Sequence, residues 1–242
     1  MCYLIKEGSF CRQPIQILAN GRWIMGHWQC TDSANGLAGD PTVIQISDDQ
    51  GENWHAVEMP NSNGRVHANI VELGPNHLVA FMRSRGADHI YRSESLNNGD
   101  SWSEPKATAL PNNNSSISAI KLKSSRIAIA YNPTHAPNAK PDVAAWPGLR
   151  CPVAVALSED NGKTWPLIRN LELGEGFVGS ENKTNNKQYE YPCLIQAADG
   201  KLHLAFAYSN RFSVKWMTFD EKDILGEKRE TVGVYNPTSA KV

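Results

Sequence analysis

The sequence has no long apolar run: its apolar stretches end after about eight residues, far short of the roughly 18 or more that a membrane span needs. Nor does it lean toward one charge. Lys plus Arg number 24 against 25 Asp plus Glu, a formal net charge of −1, so it has neither the basic surplus that nucleic-acid binding draws on nor an acidic tail. Cysteine is scarce as well. The five present (Cys2, Cys11, Cys30, Cys151, Cys193) are an odd number with no CxxC pair, which reads as reduced thiols of a reducing cytoplasm, not as a disulfide frame or a zinc site. The opening MCYLIKE lacks a basic segment followed by a long apolar one and lacks a small-residue cleavage site, so no secretion signal is expected. A sustained 3.6-residue apolar period is also missing, and 18 Gly and 14 Pro are spread along the chain, so helices should be few. What remains is a chain of 242 residues, 40% of them apolar, long enough for one large domain or two small ones.

One unit recurs along it: a short apolar run, a tight turn, a second apolar run and a polar loop. The turns are Asn20-Gly21 in IQILANGRWIM, Gly74 to Asn76 in IVELGPNHLVAF, Ser124-Ser125 in AIKLKSSRIAIAY and Asp199-Gly200 in LIQAADGKLHLAF. Asn-Gly and Asp-Gly supply the positive φ that two-residue hairpins need, and the flanks are rich in Ile, Val, Leu and Phe, so each unit is a β-hairpin.

Each of the first three hairpins is followed by a second signature: SDDQGENW at 47–54, SLNNGDSW at 95–102 and SEDNGKTW at 158–165. All three fit SxDxGxxW, with Asn97 in place of Asp in the second. In such a turn the Asp side chain accepts turn amides, Gly takes the left-handed position and Trp covers the hairpin's apolar side. The Asp residues therefore read as turn staples rather than as catalytic acids or calcium ligands. The chain is all-β, and four-stranded units of about 50 to 60 residues with an aromatic staple are blades of a β-propeller. An immunoglobulin-like sandwich would leave the repeated SxDxGxxW unexplained.

The three turn motifs are the Asp-boxes of the sialidases, and the chain resembles the sialidase (neuraminidase) superfamily over most of its length. The resemblance implies a six-bladed propeller. Only four units are recognisable, so the expectation is a single propeller domain over 1–242 that either lacks two blades or assembles differently. The family holds its substrate's carboxylate with three arginines. Arg83 in LVAFMRS and Arg150 in GLRCPVAVALSEDNG match two of them, with the preceding YNPTH similar as well, and a guanidinium fork suits a carboxylate because it binds bidentately and stays charged. The third is Arg12 in CRQPIQIL by resemblance to the family's RIP motif, although the same segment also fits a mid-chain blade opening. The family nucleophile, a tyrosine opening the last hairpin, corresponds to Tyr191 in YEYPCLIQ, with Tyr189 close by; a phenol is not repelled by the substrate's carboxylate as an acidic side chain would be. Where sialidases place the glutamate that activates this tyrosine, the chain has His67 in GRVHANIVEL. With an ordinary pKa near 6.5, an imidazole could take the phenol proton, with an acid limb near that value. Asp40 in LAGDPTVIQIS, or Asp32 in CTDSANG, would stand for the acid/base aspartate on the loop before the first Asp-box.

These resemblances imply an exo-glycosidase that hydrolyses a terminal acidic sugar, sialic acid or a related one, without metal or organic cofactor. Its partner is a carbohydrate bearing a carboxylate, with no nucleic acid and no membrane span; open edges of an incomplete ring would favour self-association. Two alternatives keep the same scaffold. One is a non-catalytic carbohydrate-binding propeller, in which Trp23, Trp28 and Trp146 offer stacking faces; the other is a polysaccharide lyase using His67 and Tyr191 for proton transfer.

Overall fold

The computed structural model describes residues 7–31, 36–146, 150–173, 188–208, 211 and 213–226. They form four antiparallel sheets in chain order, a four-blade β-propeller arrangement. The first blade comprises β1 (Ser9–Cys11), β2 (Gln16–Ile17), β3 (Trp23–Gln29), β4 (Thr42–Ser47) and β5 (His55–Glu58). The second is β6 (Arg65–Gly74), β7 (His77–Ser84), β8 (His89–Ser95) and β9 (Lys106–Pro111). The third is β10 (Ser118–Lys121), β11 (Ile127–Tyr131), β12 (Val153–Ser158) and β13 (Leu167–Glu172). In the fourth, β14 (Glu190–Gln196), β15 (Leu202–Tyr208) and β16 (Ser213–Phe219) pair in sequence order. Among the described residues, helix is confined to a 3-10 turn at Gly36–Gly39 and one α-turn at Lys222–Leu225. Among the described residues no helix is long and apolar enough to cross a membrane.

The hairpin turns fall where the sequence put them, with left-handed residues at Gly21, Asn76, Ser125 and Gly200. The interior of the molecule is the seams between blades. Ile127, Ile129 and Tyr131 of β11 face the second blade, alongside Val79 and Phe81 of β7. The alternate residues Ala128 and Ala130 of the same strand face the fourth blade, with Leu194, Leu204 and Phe206. A strand buried on both faces has no polar side to alternate with, which is why LVAFM, IAIAY and VAVAL read as continuous apolar runs.

Each Asp-box joins the third strand of its blade to the fourth and is a seam element as well as a turn. Ser158 Oγ receives the Gly162 N–H at 2.8 Å, and Asp160 Oδ1 receives the Thr164 N–H at 2.8 Å. The same pattern holds Asp49 to Asn53 and Asn97 to Ser101. Trp102 lies in the cluster shared by blades one and two, and Trp165 meets Phe81 of the second blade edge-on at 5.6 Å, so these indoles cover the seam with the preceding blade as well as their own hairpin. The glycines allow this approach. A Cβ on Gly99 would lie 2.7 Å from Ile24 Cδ1 of the first blade, and one on Gly162 would run into the Phe81 ring. Arginines of the preceding blade complete the joints: Arg22 ties Asp48 to Asp100, and Arg92 donates to the Asn161 carbonyl.

Toward the axis, the first strands of the blades are tied by side chains rather than by ladders. Asn69 Oδ1 accepts from the Ala119 N–H and from Gln13 Nε2, and Ser118 Oγ accepts from the Leu194 N–H. At the far side of the last sheet, Ile195, Val214 and Trp216 are each more than half exposed.

Burial alone would raise the Asp160 carboxyl, but hydrogen bonds from Thr164, Ser158 and the Lys163 N–H outweigh it and bring the pKa down to about 2. Asp160→Ala should therefore lower unfolding stability by about 1 kcal/mol in urea titration, without moving anion affinity. Gly162→Ala should cost more than that, because it combines a left-handed backbone with a clash across the seam.

Candidate functional site

The site grows from two bulges. β6 slips register against β7 between Val66 and Asn69, and β14 slips against β15 between Glu190 and Cys193. The residues in those slips, His67 and Tyr191, both have left-handed backbones, with φ of 59° and 54°. A side chain with a Cβ is costly there, by about 1–3 kcal/mol, and persists only where its surroundings hold it. His67 is held by Ser116 Oγ, 3.2 Å from Nδ1, and by Trp28, whose ring stacks on the imidazole at 4.4 Å. Tyr191 is held by Arg12, which reaches from the loop after β1 to donate to the Tyr191 and Pro192 carbonyls at 3.2 and 3.3 Å. The same guanidinium lies 5.6 Å from the Tyr191 ring centre.

Arg83 sits opposite Val66 in the β6–β7 ladder, one residue from His67. It is 5% exposed, and among the described residues it has neither a carboxylate nor a hydrogen-bond acceptor; its Nε is buried without a partner. Burial first, then the charges of Arg85 and Arg150, push its pKa down to about 9, while Tyr191 and Glu190 work in the opposite direction. It remains a cation at neutral pH. Arg150 precedes β12 and pairs with Glu190 at 3.0 Å, a carboxylate that also binds Arg211. Its backbone is fixed by Asn132 of the YNPTH segment, whose amide donates to the carbonyls of Arg150, Pro152 and Tyr189.

His67, Arg83, Arg150, Arg12 and Tyr191 thus come into one electrostatic neighbourhood. Asp40 does not join them as an open acid. It is fully buried, with its carboxylate 3.3 Å from Arg85 Nη2 and bonded to the Thr31 N–H, so the residue expected as acid/base on the loop before the first Asp-box stands here as an anchor for an arginine. Asp32 lies outside the described residues. Tyr189 is fully buried, stacked on Tyr208 and edge-on to Phe206, which removes it from any role as nucleophile.

Arg85 is the functional candidate that the sequence reading missed. It lies two residues beyond Arg83, with its guanidinium 5.9 Å from the ring centres of both Trp28 and Trp146. The signal was available: residues i and i+2 of an extended segment share a face, so Arg83 and Arg85 in MRSRG belong together. His67 also differs from its ordinary behaviour. Burial, then Arg83, Arg85, Arg12 and Arg150 in that order, hold its pKa well below 6.5, so the ring is neutral at neutral pH and an acid limb near 6.5 is not expected.

The chemical capacity of this arrangement is to bind an anion against fixed guanidinium donors, beside a phenol and a neutral imidazole. The BNR repeat-like domain family matches residues 6–204. The anhydrosialidase of Macrobdella decora is 26% identical over 190 residues, 75% of this chain and 23% of that protein. Among solved structures, the NanB sialidase of Streptococcus pneumoniae superposes with a TM-score of 0.66 at 16% identity, over 87% of this chain and 30% of that one. The intramolecular trans-sialidase of Ruminococcus gnavus gives 0.62 at 19% identity, over 90% of this chain and 44% of that one. The chain therefore spans less than half the length of each of these relatives, and at such identities the structural likeness speaks for the fold.

A neutral folded-state His67 binds fewer protons than the unfolded chain below about pH 6.5, so stability should fall as pH is lowered through that value, with a slope of up to about 1.4 kcal/mol per pH unit. His67→Asn, which tolerates the left-handed backbone, should flatten that slope in denaturation measured between pH 7.5 and 5. An unchanged slope would mean that His67 is not the group held neutral.

Proposed function

The chain belongs to the BNR repeat-like family of sialidase-type β-propellers, and from that premise we propose that it is an exo-glycosidase acting on a terminal acidic sugar, sialic acid or a close relative. The observation that carries this reading is the buried Arg83 guanidinium, which among the described residues has no carboxylate paired to it. A buried cation without a counter-charge is several kcal/mol out of balance, and a planar carboxylate delivered by a ligand is the group that restores it. Arg83 and Arg150 hold that carboxylate, and Arg12 supports the nucleophile's strand while adding positive potential.

Tyr191 Oη then attacks the anomeric carbon. The Oη–C bond forms as the glycosidic C–O bond breaks, its electron pair leaving on the aglycone oxygen, and the phenol proton passes to His67. Water then attacks the anomeric carbon of the glycosyl-tyrosine: the new C–O bond forms as the C–Oη bond breaks, the phenolate takes its proton back from His67, and the proton lost by the water passes through solvent to the departed aglycone oxyanion, so configuration is retained. The guanidinium field favours negative charge as it develops on the phenol oxygen. Since Asp40 is buried against Arg85, no aspartate among the described residues is offered to protonate the aglycone, and turnover through those residues should depend steeply on how good the leaving group is.

The same buried Asp40 favours a second reading, a carbohydrate-binding propeller that keeps the arginine clamp without acid catalysis. Assembly belongs to the proposal too. A single propeller unit over 1–242 whose last sheet exposes Ile195, Val214 and Trp216 needs that face covered, by further blades of a longer chain or by a second copy.

Three measurements test these points. Arg83→Met should raise the stability of the ligand-free protein by about 1 kcal/mol or more while abolishing binding of N-acetylneuraminate and glucuronate in calorimetry, because it removes a charge that only the ligand balances. Aryl sialosides or uronides with nitrophenol leaving groups should be hydrolysed and alkyl ones scarcely, with Tyr191→Phe losing turnover and keeping binding; binding without turnover on any aryl substrate would leave the second reading in place of the first. Sedimentation at micromolar concentration should show association of the isolated chain, and a monodisperse monomer would count against the uncovered face.

A further inference from the structure

The His67 ring is fixed in every respect but one. Its backbone is locked in the bulge, Trp28 covers one face at 4.4 Å with the rings 25° apart, and Nδ1 lies 3.2 Å from Ser116 Oγ. What the heavy atoms leave open is which nitrogen carries the proton. A serine hydroxyl can donate or accept, so the hydrogen bond by itself does not choose.

The charges around the ring do choose. Arg12 comes from the loop after β1, Arg83 from the end of β7, Arg85 from just beyond it, and Arg150 from ahead of β12, and all four act on His67. The described carboxylates of the neighbourhood are engaged elsewhere: Asp40 with Arg85, and Glu190 with Arg150 and Arg211. A neutral imidazole is a dipole whose negative end is the unprotonated nitrogen, and guanidiniums are donors only. With Nδ1 against the Ser116 hydroxyl and one ring face against Trp28, a proton on Nδ1 uses the one acceptor at hand and keeps the Nε2 lone pair free among donors, the favourable arrangement.

We propose that Ser116 is a positioning residue, its hydroxyl oxygen accepting the Nδ1 proton of His67, so that the ring presents a bare Nε2 to the arginine-lined site. The inference rests on the glycosidase reading for its catalytic meaning, since a bare Nε2 can accept the Tyr191 proton and an Nε2–H cannot. The tautomer itself does not depend on turnover. Nothing in SSIS at 115–118 singles out Ser116 in sequence; only the bulge that swings His67 onto it does so.

The experiment is a long-range proton–nitrogen correlation on the full chain labelled with 15N-histidine, at pH 7.5, with the His67 signals assigned by their loss in His67→Asn. The expected spectrum has His67 neutral and protonated at Nδ1. Ser116→Ala should shift it toward the Nε2–H form and lower kcat on an aryl substrate ten-fold or more with KM little changed, while Ser116→Thr, which restores the hydroxyl, should recover both. An Nε2-protonated ring in the unmodified protein overturns the proposal, as does a tautomer unmoved by Ser116→Ala. An Nδ1-protonated ring that responds to Ser116→Ala in a protein without turnover supports the positioning role and removes the glycosidase reading, so the two fail separately.

Discussion

The constraint on which the rest of the site depends is the repulsion among guanidiniums gathered in one buried place. Arg83, Arg85 and Arg150 lie close enough to depress the basicity of Arg83, and Arg12 joins them around His67. Like charges out of water do not stay together unless other groups hold them, and each neighbour can be understood as a response to that need. Asp40 is fully buried because Arg85 needs a carboxylate, and Glu190 because Arg150 does. Trp28 and Trp146 flank Arg85 because a weakly hydrated planar cation is tolerated against aromatic faces. His67 is neutral at rest for the same reason. Among the described residues the buried Arg83 has no carboxylate paired to it, and that imbalance is the basis of the proposed anion site.

Such a cluster needs a scaffold that does not relax away from it, and the seams supply one. The inner strands β7, β11 and β12 of the middle blades are packed on both faces, and Gly99 and Gly162 of the Asp-boxes admit side chains of the preceding blade to within van der Waals contact. Interiors at that density resist small displacements. The bulge that carries His67 is therefore held from both sides, which is the condition for keeping a strained left-handed residue at a fixed place, whereas Tyr191, on a sheet with one face exposed, is held by Arg12.

How much of this was legible in the chain follows the range of the interactions. Hairpins and Asp-boxes are local: Asn-Gly, Asp-Gly and SxDxGxxW determine their own geometry within a few residues, and repetition made them readable. The residues of the site were legible one by one through the resemblance to sialidases, because strand ends recur at fixed offsets from the turns. The roles of several were not. Asp40 looked like an acid on a loop, since nothing local announces that Arg85, forty-five residues later, will cover it. The pKa of His67 depends on four arginines from three blades, a sum no window of sequence contains. The indoles of the Asp-boxes were read as covering their own hairpins, whereas Trp165 reaches Phe81 across a seam that exists only once the blades stack.

The contact between Arg12 and Tyr191 draws these threads together, because it joins residues 179 positions apart, from the first blade to the last. In an array of blades stability is built largely from successive seams between neighbours. The hydrogen bonds from the loop after β1 to the start of β14, like that from Gln13 to the Ile117 carbonyl of the third blade, tie the first blade to blades beyond the second. The Tyr191 ring lies near two cations, Arg211 of its own blade at 5.7 Å from the ring centre and Arg12 of the first blade at 5.6 Å. The positive potential at the phenol is thus drawn from the last blade and the first together. A site built in this way is coupled to the closure of the fold, so that any loosening between first and last blades withdraws Arg12 from Tyr191 before it disturbs Arg83, whose position is fixed within the second blade by its pairing to Val66. In the proposed reaction, anion binding and the setting of the nucleophile are in this sense separable, the first resting on one ladder and the second on a contact between the first blade and the last.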